Sequence, residues 1–136
     1  MYLLEGCIDE VKDADAVLIT SGGSVPQLIG DPDYLSRLRL SPNRQIIGAM
    51  CSGALILAAL GLLTGKEATT YPTRRQLLSE YDVTVVDKDF VPHERIATAA
   101  GCLAAQNLCE WMIASLLGRD MAPKVLRTIQ PVGKGL

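Results

Sequence analysis

With 136 residues, 49% of them hydrophobic and 21% charged, and a net charge of −2, the chain has the composition of one soluble globular domain. Thirteen basic residues scattered among fifteen acidic ones lack the clustered Lys/Arg footprint of a nucleic-acid binder. No apolar run approaches the roughly 18 residues of a membrane span, and the start lacks a basic, apolar, small-residue signal pattern, so the cytoplasm is the expected compartment. The four cysteines (Cys7, Cys51, Cys102, Cys109) show neither CxxC nor Cys/His metal spacing; they read as reduced thiols, with no metal and no cofactor expected.

Met1 to Asp13 mixes charge and apolar residues without period and reads as a connector. Ala16 to Thr20 is a short apolar run closed by Ser21-Gly22-Gly23, the pattern of a buried parallel strand leaving the sheet through a glycine loop. Such a loop lets a ligand or an anion approach the backbone closely. A short turn at 25–29 precedes a surface helix near 32–39, which opens on Asp31-Pro32 as N-cap and first helical position. Arg37 and Arg39 read as its solvated face.

Residues 45–49 form the next buried strand, and Ala54 to Leu60 is a helix apolar on nearly every side, hence buried on most sides. Between them stands Cys51, flanked at two residues' distance by Ala49 and Gly53. That is the sequence form of a nucleophile elbow: the side chain sits on a strained strand-to-helix corner where the flanking residues must be small. The helix start turns amides and partial positive charge toward the sulfur, which favours thiolate. The alternative is a buried structural cysteine.

Gly61 ends the helix. A turn at Thr64-Gly65-Lys66 leads to a short strand around Glu67 to Thr70, Pro72 stops it, and Arg74 to Glu80 follows as a short amphipathic helix. Val83 to Val86 is a strand. Phe90-Val91 and Arg95 to Thr98 flank Pro92-His93-Glu94 as a hairpin, with the sole histidine, His93, solvated at its tip. A long helix over Cys102 to Leu117 turns Leu103, Leu108, Trp111, Met112 and Leu116 inward, placing Cys102 and Cys109 on one packed face. Gly118 caps it, and a final amphipathic helix runs from Met121 to Ile129.

The corner at Cys51, the Ala14 to Gly23 strand and loop, Gly61-Leu62-Leu63-Thr64-Gly65-Lys66-Glu67-Ala68-Thr69-Thr70, and Ile96-Ala97-Thr98-Ala99-Ala100-Gly101 together resemble the ThiJ/PfpI family, which is related to the class I glutamine amidotransferases. Gln130 to Lys134 resembles the family's tail. The resemblance and the alternation of strands and helices imply an α/β fold, a flavodoxin-like three-layer sandwich with a mostly parallel central sheet. The whole of 1–136 then forms one domain, N-terminally incomplete because the family's first strand–helix–strand unit, with the acidic residue that contacts its cysteine, has no counterpart. An apolar sheet edge left open in this way implies a homodimer.

By resemblance, Cys51 is the nucleophile, Gly22 and Gly23 supply oxyanion amides, and Ser52 or Tyr71 helps by hydrogen bonding. Tyr71 stands where many members carry histidine, and Ser52 follows the cysteine as in the isocyanide-hydratase branch, so no Cys–His pair can be assembled. Three functions remain open: hydrolase, hydratase or lyase chemistry on a small electrophilic substrate; redox or carbonyl-stress sensing through oxidation of Cys51; and catalytically silent ligand binding in a regulatory domain.

Overall fold

The computed structural model describes residues 6–129 and 133; the resemblance of the tail at 130–134 lies, Gly133 aside, outside the described residues. Among the described residues, six strands and six α-helices follow in chain order: β1 (Ala16–Ile19), α1 (Val25–Leu28), α2 (Pro32–Arg37), β2 (Ile46–Met50), α3 (Ala54–Ala59), β3 (Lys66–Ala68), α4 (Arg75–Leu78), β4 (Val83–Val85), β5 (Phe90–Pro92), β6 (Ile96–Ala99), α5 (Ala105–Leu117) and α6 (Met121–Ile129). The main sheet has the order β1-β2-β6-β5, parallel except for the β5–β6 hairpin. The flavodoxin-like sandwich is therefore present, with a mostly parallel sheet at its centre.

Side-chain alternation along β2 separates the two faces. Ile47 and Ala49 enter the larger core with Leu55, Leu57, Leu63 and Leu78 from the α1, α3 and α4 side. Gly48 faces the other way, where an added Cβ would stand 3.0 Å from the Met112 sulfur and 3.1 Å from Leu108, so glycine lets α5 lie close on the sheet. Ala97, Ala99, Ala104 and Leu108 form the smaller core there, with Trp111 and Phe90 against it. The helix caps follow the sequence: the Asp31 carboxylate accepts from the Asp33 and Tyr34 amides at 3.0 and 3.1 Å, with Pro32 behind it.

Several expectations need correction. The opening connector holds a 3-10 helix over Ile8–Asp13, because the Glu10 carboxylate caps the Cys7 amide at 3.1 Å. β1 is not buried: among the described residues it is the sheet's edge, and Leu18 is 41% exposed. The helix expected at Arg74–Glu80 is a 3-10 turn over Pro72–Arg74 and one α-turn, α4. β3 and β4 do not join the main sheet but pair with each other in parallel.

At the other end of the chain, α5 begins only at Ala105, after a 3-10 turn over Cys102–Ala104. Seven-residue spacing therefore fails to align Cys102 with Cys109: Cys102 is exposed and Cys109 half-buried. Leu103, expected inward, is 101% exposed, and Leu116 also faces outward. A change of helix type before Ala105 rotates everything ahead of it off the α-helical stripe.

Candidate active site

The strand β2 ends at Met50 with extended backbone, φ −118° and ψ 136°. The next residue turns the chain: Cys51 has φ 58° and is the only non-glycine with positive φ among the described residues. For an L-residue this left-handed conformation costs roughly 1–2 kcal/mol. The chain then enters a 3-10 turn over Cys51–Gly53 that runs directly into α3.

What holds the corner is visible on both sides. The Thr70 hydroxyl donates to the Cys51 carbonyl at 2.7 Å, a part-buried bond whose donor residue is only 2% exposed. A Cβ at Gly53 would stand 2.6 Å from the Ile19 carbonyl oxygen, so only glycine allows the corner to press against the end of β1. The expected smallness of that position thus has a named contact. The Cys51 thiol itself is half-buried.

Ser52, 5% exposed, points at the glycine loop: the Gly22 amide donates to the Ser52 oxygen at 3.2 Å, and the Ser52 hydroxyl lies 3.4 Å from the Gly22 carbonyl. The Gly22 amide is therefore engaged by a side chain of the elbow, whereas Gly23 N–H has no hydrogen-bond partner among the described residues. An added Cβ at Gly22 or Gly23 would meet nothing within 4 Å, and neither has positive φ. Neither packing nor backbone conformation requires glycine at either position.

Tyr71 is exposed at the N-cap of the Pro72–Arg74 turn, its ring 3.9 Å from where a Gly101 Cβ would stand; no hydrogen bond joins its hydroxyl to Cys51 among the described residues. Thr70, one residue earlier, is the contact that sequence reasoning passed over. It lies inside the Gly61–Thr70 motif, but nothing in the motif shows which threonine meets the corner.

His93 is placed elsewhere. Rather than being solvated, it is half-buried, and its Nε2 lies 2.7 Å from the Glu67 carbonyl, tying the β5–β6 hairpin to β3. Because a carbonyl only accepts, Nε2 carries the proton. Cys7, in the stretch read as a connector, is the N-cap of the first 3-10 helix, and its sulfur lies 3.3 Å from an Arg37 nitrogen. Arg37 also binds Asp9 at 3.0 Å; its guanidinium hydrogen bond, then the Cys7 thiol, holds the Asp9 carboxyl below the usual carboxylate range. Arg37 is thus paired rather than simply solvated. Among the described residues, no group of three or more His, Cys, Asp or Glu side chains could hold a metal ion, and no helix is long and apolar enough to cross a membrane.

A cysteine held in the left-handed conformation between a central parallel strand and a buried helix, in an α/β sandwich, defines an elbow-type cysteine protein. The chain belongs to the DJ-1/PfpI family, whose model matches residues 2–115. It is 29% identical over 112 residues to the isonitrile hydratase of Pseudomonas putida, covering 82% of this chain and 49% of that protein. It is 31% identical over 126 residues to the HTH-type transcriptional regulator GlxA of Rhizobium meliloti, covering 88% and 39%. Among solved structures, Drosophila melanogaster DJ-1beta superposes with a TM-score of 0.75 at 23% identity, covering 90% of this chain and 68% of that one. The chain spans about half or less of the length of the two curated relatives named above.

Proposed function

We propose that the domain uses Cys51 as a nucleophile toward a small electrophilic substrate, in hydrolase, hydratase or lyase chemistry. The observation that carries this reading is the left-handed backbone of Cys51, a strain that a merely structural cysteine does not need. The Cys51 thiol adds across the substrate's multiple bond, its sulfur to the electrophilic carbon and its proton to the atom that receives the freed electron pair; water then adds to the same carbon, and the S–C bond breaks to release the hydrated product and restore the thiol. The unengaged Gly23 amide supports the role of oxyanion donor, while Ser52 acts by holding the Gly22 loop. Tyr71, exposed beside Gly101, would border the substrate.

The likeness to an isonitrile hydratase makes an alkyl isocyanide the first substrate to try. Conversion of cyclohexyl isocyanide to the N-substituted formamide, followed by gas chromatography, should be abolished in Cys51→Ser. Peptide mapping after limiting iodoacetamide should find residue 51 labelled ahead of Cys102 and Cys109. Label absent from Cys51 until denaturation would remove the nucleophile reading altogether.

A second reading has its own support. Among the described residues, the hydrogen bonds around the corner involve Thr70, Ser52 and Gly22, and none involves a carboxylate or an imidazole. A thiol without a proton-transfer partner suits a sensor whose Cys51 is oxidised to sulfenic or sulfinic acid. Absence of turnover together with selective oxidation of Cys51 by dilute peroxide would select it.

We further place the protein in the cytoplasm as a homodimer that covers the open β1 edge, where Leu18 is exposed. Sedimentation velocity showing a clean monomer at micromolar concentration would refute the dimer.

A further inference from the structure

We propose that the end of the sheet opposite Cys51 carries a second binding site, for a small organic anion with an apolar or aromatic body. A cavity of about 680 Å³ opens there between the β5–β6 hairpin and β3. Its size falls within the range of roughly 300–1,000 Å³ typical of small-molecule sites. Lys66, His93, Glu94 and Arg95 bring charge and polarity to its lining, and Leu62 and Ile96 make it partly apolar. The strand β2 begins beside this cavity and ends at Cys51, so its five residues put about 15 Å between the two sites.

The charges are not neutralised within the protein. Among the described residues, Arg37, Arg75 and Lys88 have a carboxylate partner, at 3.0, 2.6 and 3.4 Å; Lys66 and Arg95, like the other basic side chains, have none, and these two both line the cavity. Glu94 lies in the same lining and pairs with neither, leaving two cations against one carboxylate. Arg95 is moreover half-buried as a residue and lines the cavity, where its charge has no carboxylate partner among the described residues.

The backbone that carries Arg95 and the His93 ring is held in place. The Arg95 carbonyl accepts from the Ile47 amide at 2.9 Å, and the His93 amide donates to the Ile96 carbonyl at 2.7 Å, closing the hairpin turn. With the His93 ring anchored on Glu67, the turn cannot swing away from β3 without breaking that bond. A guanidinium and an ammonium in one lining suit a carboxylate or a phosphate monoester, and the apolar side chains suit a hydrocarbon or an aromatic ring.

Phenyl phosphate and benzoate, with benzyl alcohol as the uncharged control, test the site by calorimetry and by amide chemical shifts in the full chain. At least one anion should bind, shift the amides of Lys66 and Arg95, and weaken as salt is raised, while benzyl alcohol does not bind. The stronger of the two identifies the anion class. Arg95→Gln should weaken binding roughly tenfold and Arg95→Lys less, a difference a charge-assisted bidentate contact predicts. The rate of Cys51 alkylation should stay unchanged in Arg95→Gln, which shows that the variant is folded and separates this site from the elbow. The proposal is overturned if neither anion binds up to about 10 mM, if the Lys66→Gln/Arg95→Gln double variant binds as the parent does, or if the shifts centre on Gly22 and Cys51.

Discussion

At the carboxyl end of β2 the chain gathers a thiol, two hydroxyls and a glycine loop, with hydrogen bonds that, among the described residues, include no carboxylate and no imidazole. At the amino end it gathers Lys66, Arg95, Glu94 and the sole histidine around a cavity. The first end is organised by backbone strain and steric closeness, the second by charge. Strain fixes one atom sharply but supplies no proton, whereas a charged cavity attracts a ligand without activating it. His93 cannot serve Cys51, because the length of β2 stands between them.

Substitutions can break this contrast, the largest effect first. Gly53→Ala places a methyl group against the Ile19 carbonyl and should cost about 3 kcal/mol in urea denaturation. A loss under about 0.5 kcal/mol would mean that the corner does not depend on its contact with β1. Thr70→Val removes the donor to the Cys51 carbonyl and should cost about 1–2 kcal/mol, with slower alkylation of Cys51, while Thr70→Ser recovers most of both. Equal alkylation rates in Thr70→Val and the parent would show that the bond does not position the sulfur.

A sharper test compares Cys51→Gly with Cys51→Ala. Both lose the sulfur, yet glycine accepts φ 58° freely and alanine does not, so the glycine variant should be the more stable by about 1 kcal/mol. The reverse order would mean that the corner is unstrained.

The smallest effect belongs to neither end of the sheet but to the exposed Arg37–Asp9 pair. Since Asp9 is held below its ordinary value of 3.8, the pair's contribution is present above that pH and is lost as pH falls through the lowered value. Asp9→Asn should therefore leave Tm unaltered at neutral pH within a degree or so and flatten the acid limb slightly. A marked loss at pH 7 would show that the pair anchors the first 3-10 helix more firmly than its exposure allows.

Much of this architecture was legible in the residues. Apolar runs bounded by glycine and proline mark the strands, Asp31-Pro32 marks the start of α2, and small residues around Cys51 mark the elbow, because each depends on steric or capping rules acting over a few residues. Leu103 and Cys102 were misplaced for a related reason: a 3-10 turn and an α-helix share an apolar pattern but not a period.

By itself the sequence determined the order of strands and helices, the corner at Cys51 and the family, since these follow from local chemistry and motif spacing. Only the tertiary structure decided that Thr70 holds the Cys51 carbonyl, that Ser52 takes the Gly22 amide, that β1 is an edge, and that His93 sits at the far pole. Each of these depends on which segments lie beside one another in space, across separations of 19 residues for Thr70 and 30 for Ser52, and a linear pattern does not encode such pairings.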